Sequence, residues 1–287
     1  MKIAIIVDSS SNLSLNEAKK LGWYLLPMTI TIDGKEYIDG VDINSSMFNQ
    51  IYKNSSIAKT SATNIQEIKN MYDKLSKEYD KIVVYPISKH LSSQYANFKL
   101  LSNDYDNVYV VESHNICEHI VFDLLAFQDK KIETEKQFIE EFNKLGTYKS
   151  NDLTLLIPKS NEPLVKGGRL SPAAAALAKV LKIVPVISFD GELKKYDKSR
   201  IFDKTVSKYI KLNLNKSKSE GTKIILLHSH NNNIEKVRDE FIGQINHEYF
   251  IPCTVAIHTG IEAIAIINTN VDEKYINILN KLRQNNF

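Results

Sequence analysis

The chain has 287 residues, 43% of them hydrophobic, with 37 basic against 34 acidic side chains and a net charge of +3. That is enough apolar content for a real core and length for one large domain or two ordinary ones, which excludes disorder as the default. The near balance of charge carries no nucleic-acid signal, and lysine-rich stretches such as Lys194-Lys195 and Lys216 to Lys218 read as solvated loops.

Met1-Lys2 leads at once into Ile3 to Val7, which reads as a buried strand too short for a signal-peptide core. No apolar run approaches the ~20 residues of a membrane span. The two cysteines, Cys117 and Cys253, have no metal or redox spacing. These features predict a cytoplasmic protein with reduced structural thiols and no metal.

Ser14-Leu15-Asn16-Glu17 fits a capping box opening a helix that runs to about Gly22. Leu25 to Ile32 is rich in strand formers, and Asp33-Gly34 turns it into Lys35 to Ile38. Lys59-Thr60-Ser61 precedes a helix whose apolar face is Ile65, Ile68, Met71, Tyr72 and Leu75, with Thr63 or Asn64 as its cap. Ile82 to Tyr85 and Val108 to Val111 are further strands, followed by helices around 92–102 and 116–128. Strands separated by helices predict a parallel sheet covered on both faces.

The polar stretch Gly146 to Asp152 marks a boundary, giving domains 1–150 and 151–287. Beyond it, Leu153 to Ile157 reads as a strand and Ala173 to Leu181 as a helix. Ile183 to Phe189 and Glu192 to Tyr196 form a hairpin about Asp190-Gly191. Lys223 to Leu227, Thr254 to His258 and Ala263 to Ile267 read as strands. Helices are expected near 233–243 and from Asp272 to Leu282. The fold class is therefore α/β in the first half, Rossmann-like, with a second domain of α+β type.

Chemistry-bearing residues gather at strand ends. Asp8-Ser9-Ser10-Ser11, Ser88 to Ser93 and Glu112-Ser113-His114 follow the three strands of the first half, where open α/β sheets bind ligands. Capping explains Ser9 to Ser11 and Ser113; at Ser92 capping and ligand binding compete. Lys166-Gly167-Gly168-Arg169-Leu170-Ser171-Pro172 combines two permissive glycines, an arginine and a helix start. A solvated arginine at a loop-to-helix junction and an arginine facing a carboxylate or phosphate fit it equally. His258-Thr259-Gly260, read at a strand end, offers an imidazole beside a hydroxyl. His228 and His230 are assigned to a polar loop.

Five of these segments occur in the order of a known family. Val7-Asp8-Ser9-Ser10-Ser11-Asn12-Leu13, Lys59-Thr60-Ser61, Ile87-Ser88 with Leu91-Ser92-Ser93, Lys166 to Ser171, and His258-Thr259-Gly260 resemble the motifs of the DegV family of bacterial fatty-acid-binding proteins. The resemblance runs nearly end to end. It implies two domains with one long-chain fatty acid buried between them and no cofactor. It implies that Thr60, Ser92 and His258 hold the carboxylate, with Ser61, Ser93 and Thr259 as further loop contacts and Arg169 facing a phosphate or a partner. It further implies a non-catalytic subunit that presents the carboxyl to a separate ATP-dependent fatty-acid kinase for acyl-phosphate formation and phospholipid synthesis. The chain itself has no G-x-x-x-x-G-K-[ST] segment.

The chain departs from the family pattern at Ala62-Thr63, at Ser93-Gln94 and at Ile261-Glu262, where the family has Pro-Gly. Glu262 could repel the ligand or pair with Arg169. Two other readings stand beside the resemblance. One is an acyl hydrolase or transferase in which Ser92 meets His258 and Asp8 or Glu262 orients the imidazole, although no G-x-S-x-G elbow surrounds any serine. The other is a regulatory protein with a vestigial lipid pocket. Ile30, Phe98 and Ile264 are assigned to ordinary core.

Overall fold

The computed structural model describes residues 1–53, 55–147, 152–169, 183–230, 232–245 and 247–283. The helix expected over Ala173 to Leu181, with Leu170, Ser171 and Pro172, lies outside them, as does most of the expected boundary.

The first half is built on four parallel strands, β1 (Ile3–Val7), β2 (Tyr24–Leu25), β6 (Lys81–Tyr85) and β7 (Val108–Val110), in the order β2-β1-β6-β7. Helices α1 (Leu15–Lys20), α3 (Ile65–Leu75), α4 (Gln94–Ser102) and α5 (Glu118–Gln128) connect or cover them. The predicted capping box at Ser14 and Glu17 is present in full, and Asn64, rather than Thr63, caps α3. Alternation along β1 and β6 sorts the core. Ala4, Ile6, Ile82 and Val84 pack with Ile68, Tyr72 and Phe98, while Ile5, Val7, Val83 and Tyr85 face the opposite side.

The run expected as one strand from Leu25 to Ile32 is split. Proline cannot donate to a ladder, and the chain leaves the parallel sheet around Pro27. It then starts β3 (Thr29–Ile32) in a separate antiparallel sheet of order β4-β3-β5, with β4 (Lys35–Ile38) and β5 (Ala58–Ser61). Helix α2 (Ser45–Ile51) lies between β4 and β5, and α6 (Glu135–Phe142) ends the first half.

The second half holds a six-stranded mixed sheet of order β10-β9-β8-β13-β11-β12. Its strands are β8 (Leu153–Ile157), β9 (Val184–Phe189), β10 (Leu193–Ser199), β11 (Lys223–His228), β12 (His247–Phe250) and β13 (Ile264–Thr269). The β9–β10 hairpin is the one expected from Asp190-Gly191. Helices α7 (Glu162–Lys166), α8 (Phe202–Glu220), α9 (Ile234–Glu240), α10 (Cys253–Thr259) and α11 (Glu273–Arg283) complete the described chain. Leu155, Ile157, Ile224, Leu226, Ile264 and Ile266 pack toward α8 and α9. Their alternates Leu156, Ile225, Leu227, Ala265 and Ile267 share one core with Ile5, Val7, Val83 and Tyr85. The two sheets thus enclose a common apolar layer between the halves.

Thr254 to His258, expected as a strand, is helical. The β-branched Thr254, Val255 and Ile257 suggested extension, but the buried residues Cys253, Thr254, Ala256, Ile257 and Thr259 include the helical i, i+3, i+4 set of Cys253, Ala256 and Ile257, and Pro252 suits a helix start. The strand beside β11 is instead the His247–Phe250 segment. His228 is the last residue of β11, buried and paired with Glu248, rather than part of a polar loop.

Candidate functional site

In the parallel sheet the order reverses between β1 and β6, so the crevice beyond their carboxyl ends is where a ligand would be sought. It is filled by protein. Asp8 accepts hydrogen bonds from the Ile87 amide (2.8 Å) and from the Ser10 amide and hydroxyl (3.0 and 2.5 Å). Burial pushes its carboxyl up to about 6 against those bonds. Ser9 accepts from the Met28 amide, Ser11 donates to the Asp8 carbonyl, and Ser113 bonds Asn115. These serines make bonds within the protein rather than capping helices, and Asp8 itself caps the Ser9–Ser11 turn. Ser88 donates to the Gly191 carbonyl (2.6 Å) and ties the β9–β10 turn to the first half.

Beneath this crevice, in the layer between the sheets, lies a cavity of about 100 Å³. Its lining is mostly apolar and drawn from both halves, including Ile87, Ile116, Leu156, Leu164, Phe189 and Ile251. Ile30, Phe98 and Ile264 are fully buried core and do not line it.

Four of the predicted residues, Thr60, Ser92, Arg169 and His258, line this cavity together with Thr259. Thr60 projects from β5, one residue before the end of that strand, and bonds His258 Nε2 at 3.0 Å. His258 stands in the last turn of α10 and is largely buried: desolvation, with the Arg169 cation nearby, drives its pKa down to about 3, so the imidazole is neutral. Its Nδ1 is buried with no hydrogen-bond partner, as is the Thr259 hydroxyl. Ser92 precedes α4 and accepts from the Gln94 amide at 3.2 Å, so it serves the helix start while also facing the cavity. Ser61 and Ser93 are exposed and do not line the cavity.

The two glycines before Arg169 have different reasons to be there. Gly168 adopts φ +67°, a conformation that favours glycine. Gly167 has ordinary helical backbone at the end of α7, but a Cβ there would drive into the His258 ring and sit 3.1 Å from the Pro163 carbonyl. Arg169 follows α7, an element not expected from the sequence. Its guanidinium donates to the carbonyls of Gly167 and, at 3.2 Å, Leu91, spanning the two halves. Burial without an acidic partner lowers its pKa.

Glu262 does not pair with Arg169. It lies 3.9 Å from Lys159, at a left-handed backbone position (φ +63°). His258 is bonded to Thr60 and not to Ser92, and Asp8 is engaged by Ile87 and Ser10, so the described residues do not assemble the serine–histidine–carboxylate arrangement. Among them there is also no cluster of three or more metal-ligating side chains, and no helix is long and apolar enough to cross a membrane.

The cavity also contains a polar pair that the sequence reading did not assign to a site. His119 of α5 and Thr154 of β8 both line it and are bonded at 3.1 Å. The available signal was an imidazole opening the stretch His119 to Phe127, which is apolar apart from Asp123.

A family model described as an uncharacterised protein of the DegV family matches residues 2–270. A DegV domain-containing protein of Mycoplasmopsis pulmonis is 42% identical over 282 residues, covering 96% of this chain and 98% of that protein. Among solved structures, DegV from Bacillus subtilis, described as a fatty acid binding protein, aligns with a TM-score of 0.78 at 21% identity over 94% of this chain and all of that one (100%). A stearic-acid-binding protein from Eubacterium ventriosum aligns with a TM-score of 0.75 at 18% identity over 96% of this chain and 99% of that one.

Proposed function

Since the chain belongs to the DegV family, we propose that it binds one long-chain fatty acid, as the Bacillus subtilis and Eubacterium ventriosum proteins are described as doing. The observation that carries this reading is an apolar cavity between the halves bordered by Thr60, Ser92, His258, Thr259 and the Arg169 guanidinium. In this reading Thr60, Ser92 and His258 hold the carboxylate, with Thr259 in reach and Arg169 supplying positive charge.

The energetics favour such a ligand. A carboxylate buried without partners would be prohibitively costly, and each hydrogen bond to a charged group returns roughly 1.5–3 kcal/mol. The acyl chain adds about 0.8 kcal/mol for each methylene buried, so a ~16-carbon chain supplies most of the gross binding energy before ordering costs. A neutral His258 adds no charge that the cavity would have to solvate, and because it is bonded to Thr60, one member of that pair keeps a proton to donate to the carboxylate beside the Ser92 hydroxyl.

The same arrangement suits presentation to a separate ATP-dependent kinase, with acyl-phosphate formation taking place on that partner. Arg169 reaches the outer surface groove lined by His90, Ser93 and Tyr95 as well as the cavity, and so can face both a carboxyl and an arriving phosphoryl group. Extraction of the purified protein with organic solvent, followed by mass spectrometry, tests the ligand assignment. One fatty acid per chain is expected. Protein that is empty and takes up no added ~14–18-carbon acid, the range that per-methylene burial rewards, would overturn it.

A further inference from the structure

The His119–Thr154 pair is a second polar point in a cavity whose other polar groups gather elsewhere. Strand register locates it. β8 and β13 pair antiparallel, with Ile157 opposite Ile264 and Thr154 opposite Ile267. Arg169 follows the Ile157 end of β8, and His258 and Thr259 precede the Ile264 end of β13, so both approach through the same end of these strands. Thr154 lies three residues further in, roughly 10 Å at about 3.3 Å per residue. Around it the lining is apolar, with Leu156, Phe189 and Ile267 on the strands beside it.

The pair has capacity to spare on the threonine. His119 Nδ1 stands 3.6 Å from a carboxylate oxygen of Asp152, both side chains being buried. That separation is too long for a hydrogen bond, but a carboxylate on that side favours the tautomer with the proton on Nδ1, in which Nε2 accepts the Thr154 hydroxyl proton. The Thr154 oxygen then keeps its lone pairs, turned to a donor rather than to another acceptor. A saturated alkyl chain offers it nothing; a hydroxyl on that chain does.

Resting on the fatty-acid reading above, we propose that His119 and Thr154 form a specificity point for the body of the acyl chain, and that the preferred ligand is a hydroxy fatty acid whose hydroxyl lies well away from its carboxylate. Asp152 and His119 are the positioning groups, and Thr154 Oγ1 is the atom that meets the ligand.

The test measures the affinity of the full-length protein for stearic acid and for a series of monohydroxystearic acids with the hydroxyl moved along the chain. One or two neighbouring isomers are expected to bind about fivefold or more tightly than stearic acid, the worth of one net hydrogen bond. Thr154→Val should erase that preference while binding stearic acid at least as well, and Thr154→Ser, which restores the hydroxyl, should keep it. Stearic acid binding equal to or tighter than every isomer would overturn the inference and leave the fatty-acid reading intact, as would a preference that survives Thr154→Val. Failure of all the acids to bind would overturn both.

Discussion

Gly167 gives the sharpest handle on the site, because its backbone is compatible with alanine and only a neighbour forbids it. At Gly167→Ala the new methyl would overlap His258, and the ring must withdraw by roughly 1 Å to regain an ordinary van der Waals separation. That movement breaks the 3.0 Å contact with Thr60 Oγ1 and takes the imidazole away from the ligand. Loss of one hydrogen bond to a carboxylate, roughly 1.5–3 kcal/mol, corresponds to about 10- to 150-fold weaker binding. Overpacking adds a stability cost of about 1–3 kcal/mol. A double-mutant cycle separates this from generic damage. With His258→Ala in place the overlap with the ring is gone and only the 3.1 Å approach to the Pro163 carbonyl remains, so Gly167→Ala should cost much less in both affinity and stability there. Fatty-acid titration and thermal melts of the four proteins provide the readout. An unchanged affinity for Gly167→Ala, or the same loss on both backgrounds, would refute the reasoning.

Arg169→Ala should retain the fatty acid but abolish its ATP-dependent phosphorylation by a kinase partner, measured as acyl-phosphate formation; undiminished phosphorylation would count against the partner-facing role. Asp39 should make stability depend on pH. Its carboxyl is buried at the start of α10, accepts from the Thr254 amide and hydroxyl, and is pushed up to about 6 chiefly by burial. The folded protein therefore takes up this proton before the unfolded chain does. Stability from Asp39 is present in full below about pH 4 and is lost as pH rises through 6, a change of about 3 kcal/mol. Asp39→Asn removes that dependence, so its melting temperature relative to wild type should be more favourable at pH 7.5 than at pH 4.5. A difference that stays constant with pH would contradict the assignment.

The strands β1, β6, β7 and β8, the β9–β10 hairpin and the cap of α1 were legible because each is fixed by local chemistry: a short apolar run, an Asp-Gly turn, a serine and a glutamate three residues apart. Local signals were weaker elsewhere. β5 has three polar residues of four and owes its extension to pairing with β3, and α6, which the sequence reading missed, buries Phe138 alone behind a Thr134–Gln137 capping box. At α10 the signal pointed the wrong way, because β-branched residues were taken for a strand where the segment packs as a helix against α7, β3 and β5. The site follows the same division. Thr60, Ser92, Arg169 and His258 were picked out from their motifs, yet their common cavity depends on contacts across more than a hundred residues. The role of Gly167 depends on a ring ninety-one positions later in the chain (258 − 167 = 91). Thr154 had no local signal, being one hydroxyl in an ordinary strand.

The last helix changes what kinds of motion the protein can use. Arg283, in the final turn of α11, forms a buried ion pair with Glu118 at the start of α5 (3.0 Å), donates to the Asn12 carbonyl (2.8 Å) and covers the Tyr249 ring. The second half is thus fastened to the first where the chain crosses over and again near its end. Two such fastenings resist the clamshell rotation that a single hinge would permit, and separating Arg283 from Glu118 would strand a buried charge at a cost of about 3–5 kcal/mol. On the proposed reading, a fatty acid would therefore enter by local rearrangement of the cavity's rim, with the two sheets holding their distance.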